Sequence, residues 1–251
     1  MCVAPGAYAV SIDAAAAVLS KPYHSYPHEG LRPKTLMSRR KIAPAADIAA
    51  AATMDLRDAC VQAAHAVIVE HGIEKLSLRD VARKLNVSHQ APYKHYPSRD
   101  HLLVEVIRRC FRQFTNALNA RPRFELPIED MRSLGRCYLG YAMQHPLEYR
   151  LMFGTPWPTV TAHPELVVDA RHSFNVLRSA LAPLYPDLLS SRDQIDLDAM
   201  FVWSTMHGLA TILQSQVMNH LALNEQVLAN AVAHVMQMVD TALMAKRELP
   251  A

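Results

Sequence analysis

Between Ser77 and Leu103 the chain reads SLRDVARKLNVSHQAPYKHYPSRDHLL, which gathers many phosphate-seeking side chains into a short span. Lys94 offers a point charge and Tyr93 a phenol donor, both suited to a phosphate oxygen. Arg79 and Arg83 are candidates to flank a nucleic-acid backbone, and Ser77, at a helix start, can present its hydroxyl and free amides to another phosphate. Ser88 is placed to cap the next helix, whose leading residues His89 and Gln90 are candidates for reading base edges. Glutamine pairs bidentately with adenine, and histidine can donate to guanine acceptors. Each of these residues also fits a plainer role as an exposed polar side chain on a short helix.

The elements that must hold them follow from periodicity. Leu56, Ala59, Cys60, Ala63, Val67 and Ile68 fall on one helical face that His71-Gly72 can end. Ser77, three residues before Asp80, has capping-box spacing, and Leu78, Val81, Ala82 and Leu85 form the buried stripe of a second helix. Asn86 tolerates a left-handed turn, and Val87 then returns to the core. Ser88 opens a third helix that Pro97-Ser98 ends, and Ser98 with Asp100 begins a fourth carrying Leu102, Leu103, Val106, Ile107, Cys110 and Phe114. Two helices about three residues apart, with another beneath them, make a helix-turn-helix, the arrangement that docks a helix into a DNA groove. Helix pairs joined by Asn turns also occur in ordinary bundles.

Val87-Ser88, Tyr93-Lys94-His95-Tyr96, Ser98-Arg99-Asp100 and Leu102-Leu103 resemble the signature of the TetR family of one-component transcriptional regulators. The resemblance covers Asp55 to Leu103 and departs from the family pattern twice. Asn86 stands where glycine is common, and Ala91-Pro92 replaces a small residue followed by leucine. Pro92 removes an amide near the first turn, which predicts a short, rigid recognition helix. Far downstream, Trp203-Ser204-Thr205-Met206-His207-Gly208 resembles the Trp…His-Gly element of one ligand-domain subgroup, in which the Ala-Pro-Tyr variant is also typical. The resemblance implies that Tyr93 and Lys94 hold phosphate and that His95 and Tyr96 pack the recognition helix. It further implies a homodimer on an inverted-repeat operator in double-stranded DNA, acting as a repressor that a small-molecule effector releases.

Charge is distributed in keeping with that division. Residues 37–124 hold fifteen Lys/Arg against eight Asp/Glu, whereas residues 125–251 hold eight against thirteen. A basic segment joined to an acidic remainder is what a polyanion-binding module attached to a non-binding domain would show. Cys2, Cys60, Cys110 and Cys137 are far apart without a CxxC pair, so neither a zinc site nor a disulfide framework is signalled and a cytoplasmic protein is expected. No His/Cys spacing suits a metal, no cofactor is expected, and no GxSxG or P-loop appears, which argues against an enzyme. The apolar runs near Met200–Leu213 and Val227–Met244 are broken by polar residues at helical spacing, so no membrane span is expected.

Three regions are expected. Residues 1–52, rich in proline and without periodicity, read as a disordered leader, with Met37 an alternative start. Arg39, Arg40 and Lys41 within it read as a basic arm along DNA, and equally as a solvated charge run. A helix-turn-helix domain spans 53–103, its fourth helix continuing to about 120. An all-α ligand-binding and dimerisation domain spans 121–251, with helices at Pro127 to about Gln144, Leu147–Phe153, Pro164–Leu184, Arg192 to about Leu221 and Glu225–Lys246. The wide apolar arcs of the last two suggest burial on two sides, as in a dimer interface. Tyr138, Tyr141, Phe153, Trp157, Phe174, Trp203 and His207 are candidates for the walls of a ligand cavity, and each would serve equally as ordinary core. The rival reading is a ligand-binding or interaction module that keeps the helix-turn-helix as scaffold.

Overall fold

A computed structural model describes residues 55–185, 192–215, 220–221 and 223–245. The expected leader, the alternative start at Met37, the basic arm of Arg39, Arg40 and Lys41, and the helix end expected at Lys246 lie outside the described residues. Among the described residues the chain is all-α, with eight α-helices, four short 3-10 segments and no strand. Packing separates two compact units, one ending at Arg99 and the other beginning at Asp100. The sequence reading had carried the first unit to residue 103.

In the first unit, α1 (Leu56–His71) starts at Asp55, whose carboxylate accepts from the Arg57 amide, and stops at Gly72, which adopts φ 84°. Its expected stripe from Ala59 to Ile68 is buried, joined by Val61 and Ala64. A 3-10 turn (Ile73–Lys75) leads to α2 (Leu78–Lys84). The Ser77 hydroxyl accepts from the Asp80 amide at 3.1 Å and is itself bonded to the Asp80 carboxylate, one half of a capping box and a local anchor together.

The end of α2 is a Schellman motif. The Asn86 amide bonds to the Arg83 carbonyl at 3.1 Å and the Val87 amide to the Ala82 carbonyl at 3.0 Å. That geometry puts Asn86 at φ 53°, where a short polar side chain is tolerated and a branched one is not.

The third helix differs from the expectation. Residues 89–91 are a turn and Pro92–Lys94 a single 3-10 segment without a side-chain cap, so Ser88 does not serve as one. Pro92 is the cause. It has no amide to reach the Ser88 carbonyl in α-helical fashion, and the Ala91 amide takes that carbonyl instead, at 2.9 Å. The pyrrolidine ring is buried, which fixes the segment against its own unit.

In the second unit, α3 (Arg99–Asn119) is followed by three helices that open with proline at the first position and an acid soon after. These are α4 (Pro127–Gln144) with Glu129 and Asp130, α5 (Pro146–Phe153) with Glu148, and α6 (Pro164–Leu181) with Glu165. Proline loses nothing there, because the first amides of a helix have no partner, and the acids meet the positive end of the dipole. The last two are α7 (Arg192–Gln214), ending short of the expected Leu221, and α8 (Glu225–Ala245).

Replacing Asn86 by valine should lower stability by roughly 1–2 kcal/mol, the cost of a left-handed backbone, while glycine should be neutral or better. Denaturant unfolding of the two variants against the parent checks this.

Candidate functional site

Two surfaces hold the candidate residues, one in each unit. In the first, Arg79, Arg83, Ser88, His89, Gln90, Tyr93 and Lys94 are all exposed, with Tyr93 keeping 43% of its surface. Between them Pro92 and Tyr96 point inward, and Tyr96 is 3% exposed with its hydroxyl donating to the Arg57 carbonyl at 3.2 Å. A short segment therefore alternates between anchors and free polar ends. His95 is half-buried beside this anchor.

The exposed set is not chemically equivalent. Arg83 is ion-paired with Asp80 one turn away, and the Ser77 hydroxyl is engaged with that same aspartate. Lys94 and Arg79 have no ion-pair partner among the described residues. Arg99 is a structural residue that the sequence reading gave no role. Its guanidinium donates to the carbonyls of Ile73 at 2.8 Å and Leu76 at 3.1 Å, tying the loop before α2 to the end of the unit. An arginine beside a helix start carries no signal by itself that it is aimed at a loop.

The second unit encloses a cavity of about 660 Å³ walled by α3, α4, α5, α6, α7 and α8. Six of the seven candidate wall residues line it: Tyr138, Phe153, Trp157, Phe174, Trp203 and His207. Tyr141 does not. Its ring lies against Phe114 at 5.1 Å and His145 at 4.4 Å, and its hydroxyl is buried without a partner. The rings pack edge-on, Phe174 to Trp203 at 5.8 Å and Phe111 to Trp157 at 5.5 Å, the preferred arrangement of aromatic quadrupoles. Met131, Met152, Met200, Met206 and Met236 fill the space between them.

One polar chain runs through this apolar lining. The Tyr138 and Tyr149 hydroxyls are 2.8 Å apart, and the Tyr149 hydroxyl lies 2.6 Å from His207 Nδ1. Burial pushes Tyr138 up to about 12 and raises Tyr149 as well, so both phenols keep their protons. Burial also holds the His207 imidazole below its ordinary value, hence neutral. The Tyr138 hydroxyl also lies 3.3 Å from Nδ1, so the two phenols and this ring nitrogen form one hydrogen-bonded group. Nε2 has no protein partner among the described residues.

Three further polar residues line the cavity. Asp240 is buried and paired with Arg132 across α4 and α8. Its carboxyl is nevertheless raised, because desolvation outweighs the arginine. The Ser173 hydroxyl is shared with Thr115 at 2.6 Å. Arg171 is exposed. Among the described residues no three His, Cys, Asp or Glu side chains converge on a point where a metal would sit. No described helix is long and apolar enough to cross a membrane.

With this geometry in hand, known proteins offer a direct comparison. A profile described as "Bacterial regulatory proteins, tetR family" matches residues 61–106, and one described as "Tetracyclin repressor-like, C-terminal domain" matches residues 131–239. Together they take in more than half of the chain and leave neither unit unmatched. The HTH-type transcriptional regulators Rv1816 of Mycobacterium tuberculosis and Mb1846 of Mycobacterium bovis are each 28% identical over 102 residues. That stretch is 39% of this chain and 43% of theirs, so the match spans less than half the length of these curated relatives.

Among solved structures, regulatory protein SCO4313 is similar with a TM-score of 0.59 at 21% identity, over 76% of this chain and 95% of that one. A Rhodococcus sp. RHA1 protein of unknown function gives 0.58 at 21%, over 78% and 96%. These structures share the fold. The chain belongs to the TetR family, and its C-terminal match is consistent with the Trp-His-Gly subgroup. The named relatives are transcriptional regulators rather than enzymes.

A histidine held neutral by burial makes stability pH-dependent. Below the ordinary imidazole value the unfolded chain takes up a proton that folded His207 refuses, so this contribution is full above about pH 6.5 and is lost as pH falls through the lower folded value. His207→Gln should flatten that part of the profile, as measured by unfolding free energies from about pH 8 to about pH 5.

Proposed function

We propose that the chain is a ligand-responsive transcriptional regulator that binds an inverted-repeat operator in double-stranded DNA as a homodimer and is released by a small molecule, acting as a repressor. The observation that carries the reading is the segment 88–94, where buried Pro92 holds exposed Ser88, His89, Gln90, Tyr93 and Lys94 in one short turn. Lys94 and Tyr93 take phosphates, and Arg79, without an ion-pair partner among the described residues, adds charge from α2. His89 and Gln90 read bases. Ser77 contributes its amides more than its hydroxyl, which Asp80 occupies, and Arg83 reaches DNA only by leaving Asp80.

Dimerisation through α7 and α8 is supported by apolar side chains that face solvent in one chain. Leu197 is 64% exposed, and Phe201 and Ile212 continue its stripe along α7, with Val227, Met238 and Met244 on α8. Gly208 falls between Phe201 and Ile212 with open space around it, room for the close approach of a second helix. Two copies of the 88–94 turn, about one DNA turn apart, would read a palindrome. The cavity supplies the effector site, and α3, which begins where the N-terminal unit ends, carries Phe111, Phe114 and Leu118 in its wall. Release then needs only a ligand with unequal affinity for two conformations.

Binding to the chain's own promoter region across a salt series should give a steep slope and protect a short inverted repeat. Lys94→Ala should weaken binding to all sequences and reduce the salt slope by about 1, whereas Gln90→Ala should change site preference by roughly 1–3 kcal/mol at one position. A flat salt dependence would favour the rival in which the helix-turn-helix is only a scaffold. Phe201→Glu should shift the sedimenting species from dimer to monomer, by burying a charge against its own copy in the paired state.

A further inference from the structure

We propose that the effector of this cavity is an apolar-bodied monocarboxylate, its hydrocarbon body held among the aromatic and methionine side chains and its carboxylate on Arg171 beside His207. The inference rests on the reading of the cavity as an effector site and names the chemistry of what enters it.

The body follows from the walls. At about 660 Å³ the cavity lies within the range, roughly 300–1,000 Å³, that takes a drug-sized molecule. Phe, Trp and Met side chains, with Leu and Val beside them, supply most of its lining. The head follows from counting which polar groups are already satisfied. Asp240 is neutralised by Arg132, and the Ser173 hydroxyl is shared with Thr115. Tyr138 and Tyr149 are spent on each other and on His207. Two groups remain without a protein partner among the described residues, Nε2 of His207 and the guanidinium of Arg171. The first is on a neutral ring, and the second is a cation that seeks an anionic acceptor. A cationic ligand would find its only anion taken. A doubly charged head would leave one charge uncompensated.

The helix register sets these two groups at the same level of the fold. Helices α6 and α7 run antiparallel, since Arg178 meets Asp196 while Phe174, earlier on α6, meets Trp203, later on α7. Continuing that register by one turn brings Arg171 opposite Met206 and His207. Arg171 and Met200 are the lining residues that are also exposed, so they mark the mouth. A carboxylate there keeps partial hydration while its body is withdrawn from water. Arginine's planar fork suits a carboxylate in two parallel bonds, which a lysine would not supply.

The chain carries two tryptophans, Trp157 and Trp203, and both line the cavity, so its intrinsic fluorescence reports occupancy directly. The full-length protein is titrated, without DNA, with 4-cyclohexylbutyrate and with its primary amide, which have the same body and do not absorb in the tryptophan range. The acid should bind about tenfold more tightly than the amide or better, as expected for a hydrogen bond to a charged group. Arg171→Gln, a change at an exposed position, should bring the two to equal affinity, and Arg171→Lys should restore part of the difference. Equal binding of acid and amide, quenching by neither, or a preference that survives Arg171→Gln would overturn the proposal. Because no DNA is present, these outcomes are independent of the promoter titration, which judges the regulator reading separately.

Discussion

Polar atoms buried among aromatic rings are costly unless they satisfy one another, and the second unit is organised by how Tyr138, Tyr149 and His207 do so. An unpaired hydroxyl or ring nitrogen there would cost roughly 1–3 kcal/mol, so these three side chains fix the relative positions of α4, α5 and α7. Each of the three helices contributes one member, so none can slide along its neighbours without breaking a bond.

The first unit depends on a different constraint, the count of backbone amides. The Schellman turn at Asn86 uses up two carbonyls of α2, and the amide missing at Pro92 denies the next segment a regular helical start. What results is a tight turn, pinned by Pro92 and Tyr96, from which polar side chains project. A longer helix would have distributed them around its circumference.

Sequence made some of this legible because the relevant forces are local. Proline marked the starts of α4 and α6 to the residue, the start expected at Leu147 falls within one residue of that of α5, and Ser77 with Asn86 bracketed α2. It identified six cavity residues, because aromatics at helical spacing converge when helices bundle. It failed where the deciding contact is distant or where neighbouring positions on a helix compete. Tyr138 and Tyr141 are one turn apart and both buried, yet only the first faces the cavity, a choice made by His145 and Phe114. Arg132 and Asp240 lie 108 residues apart, and nothing in either neighbourhood announces the pair. The third helix is short as expected, but its start at Ser88 was misjudged, because the effect of one lost amide depends on whether the neighbouring carbonyl finds another donor.

The methionines of the cavity wall have a consequence of their own. Met206 and Met236 each bring a terminal methyl within 3.4 Å of where a side chain on Gly135 would begin, so that glycine leaves room for two flexible thioethers rather than for a fixed surface. Such side chains change shape at little cost and wrap around bodies of differing outline. Discrimination among ligands is then delegated to the few rigid polar points, while the rest of the wall stays permissive. A cavity divided in this way can change which molecules it prefers by altering one or two polar residues, leaving the packed remainder of the unit untouched.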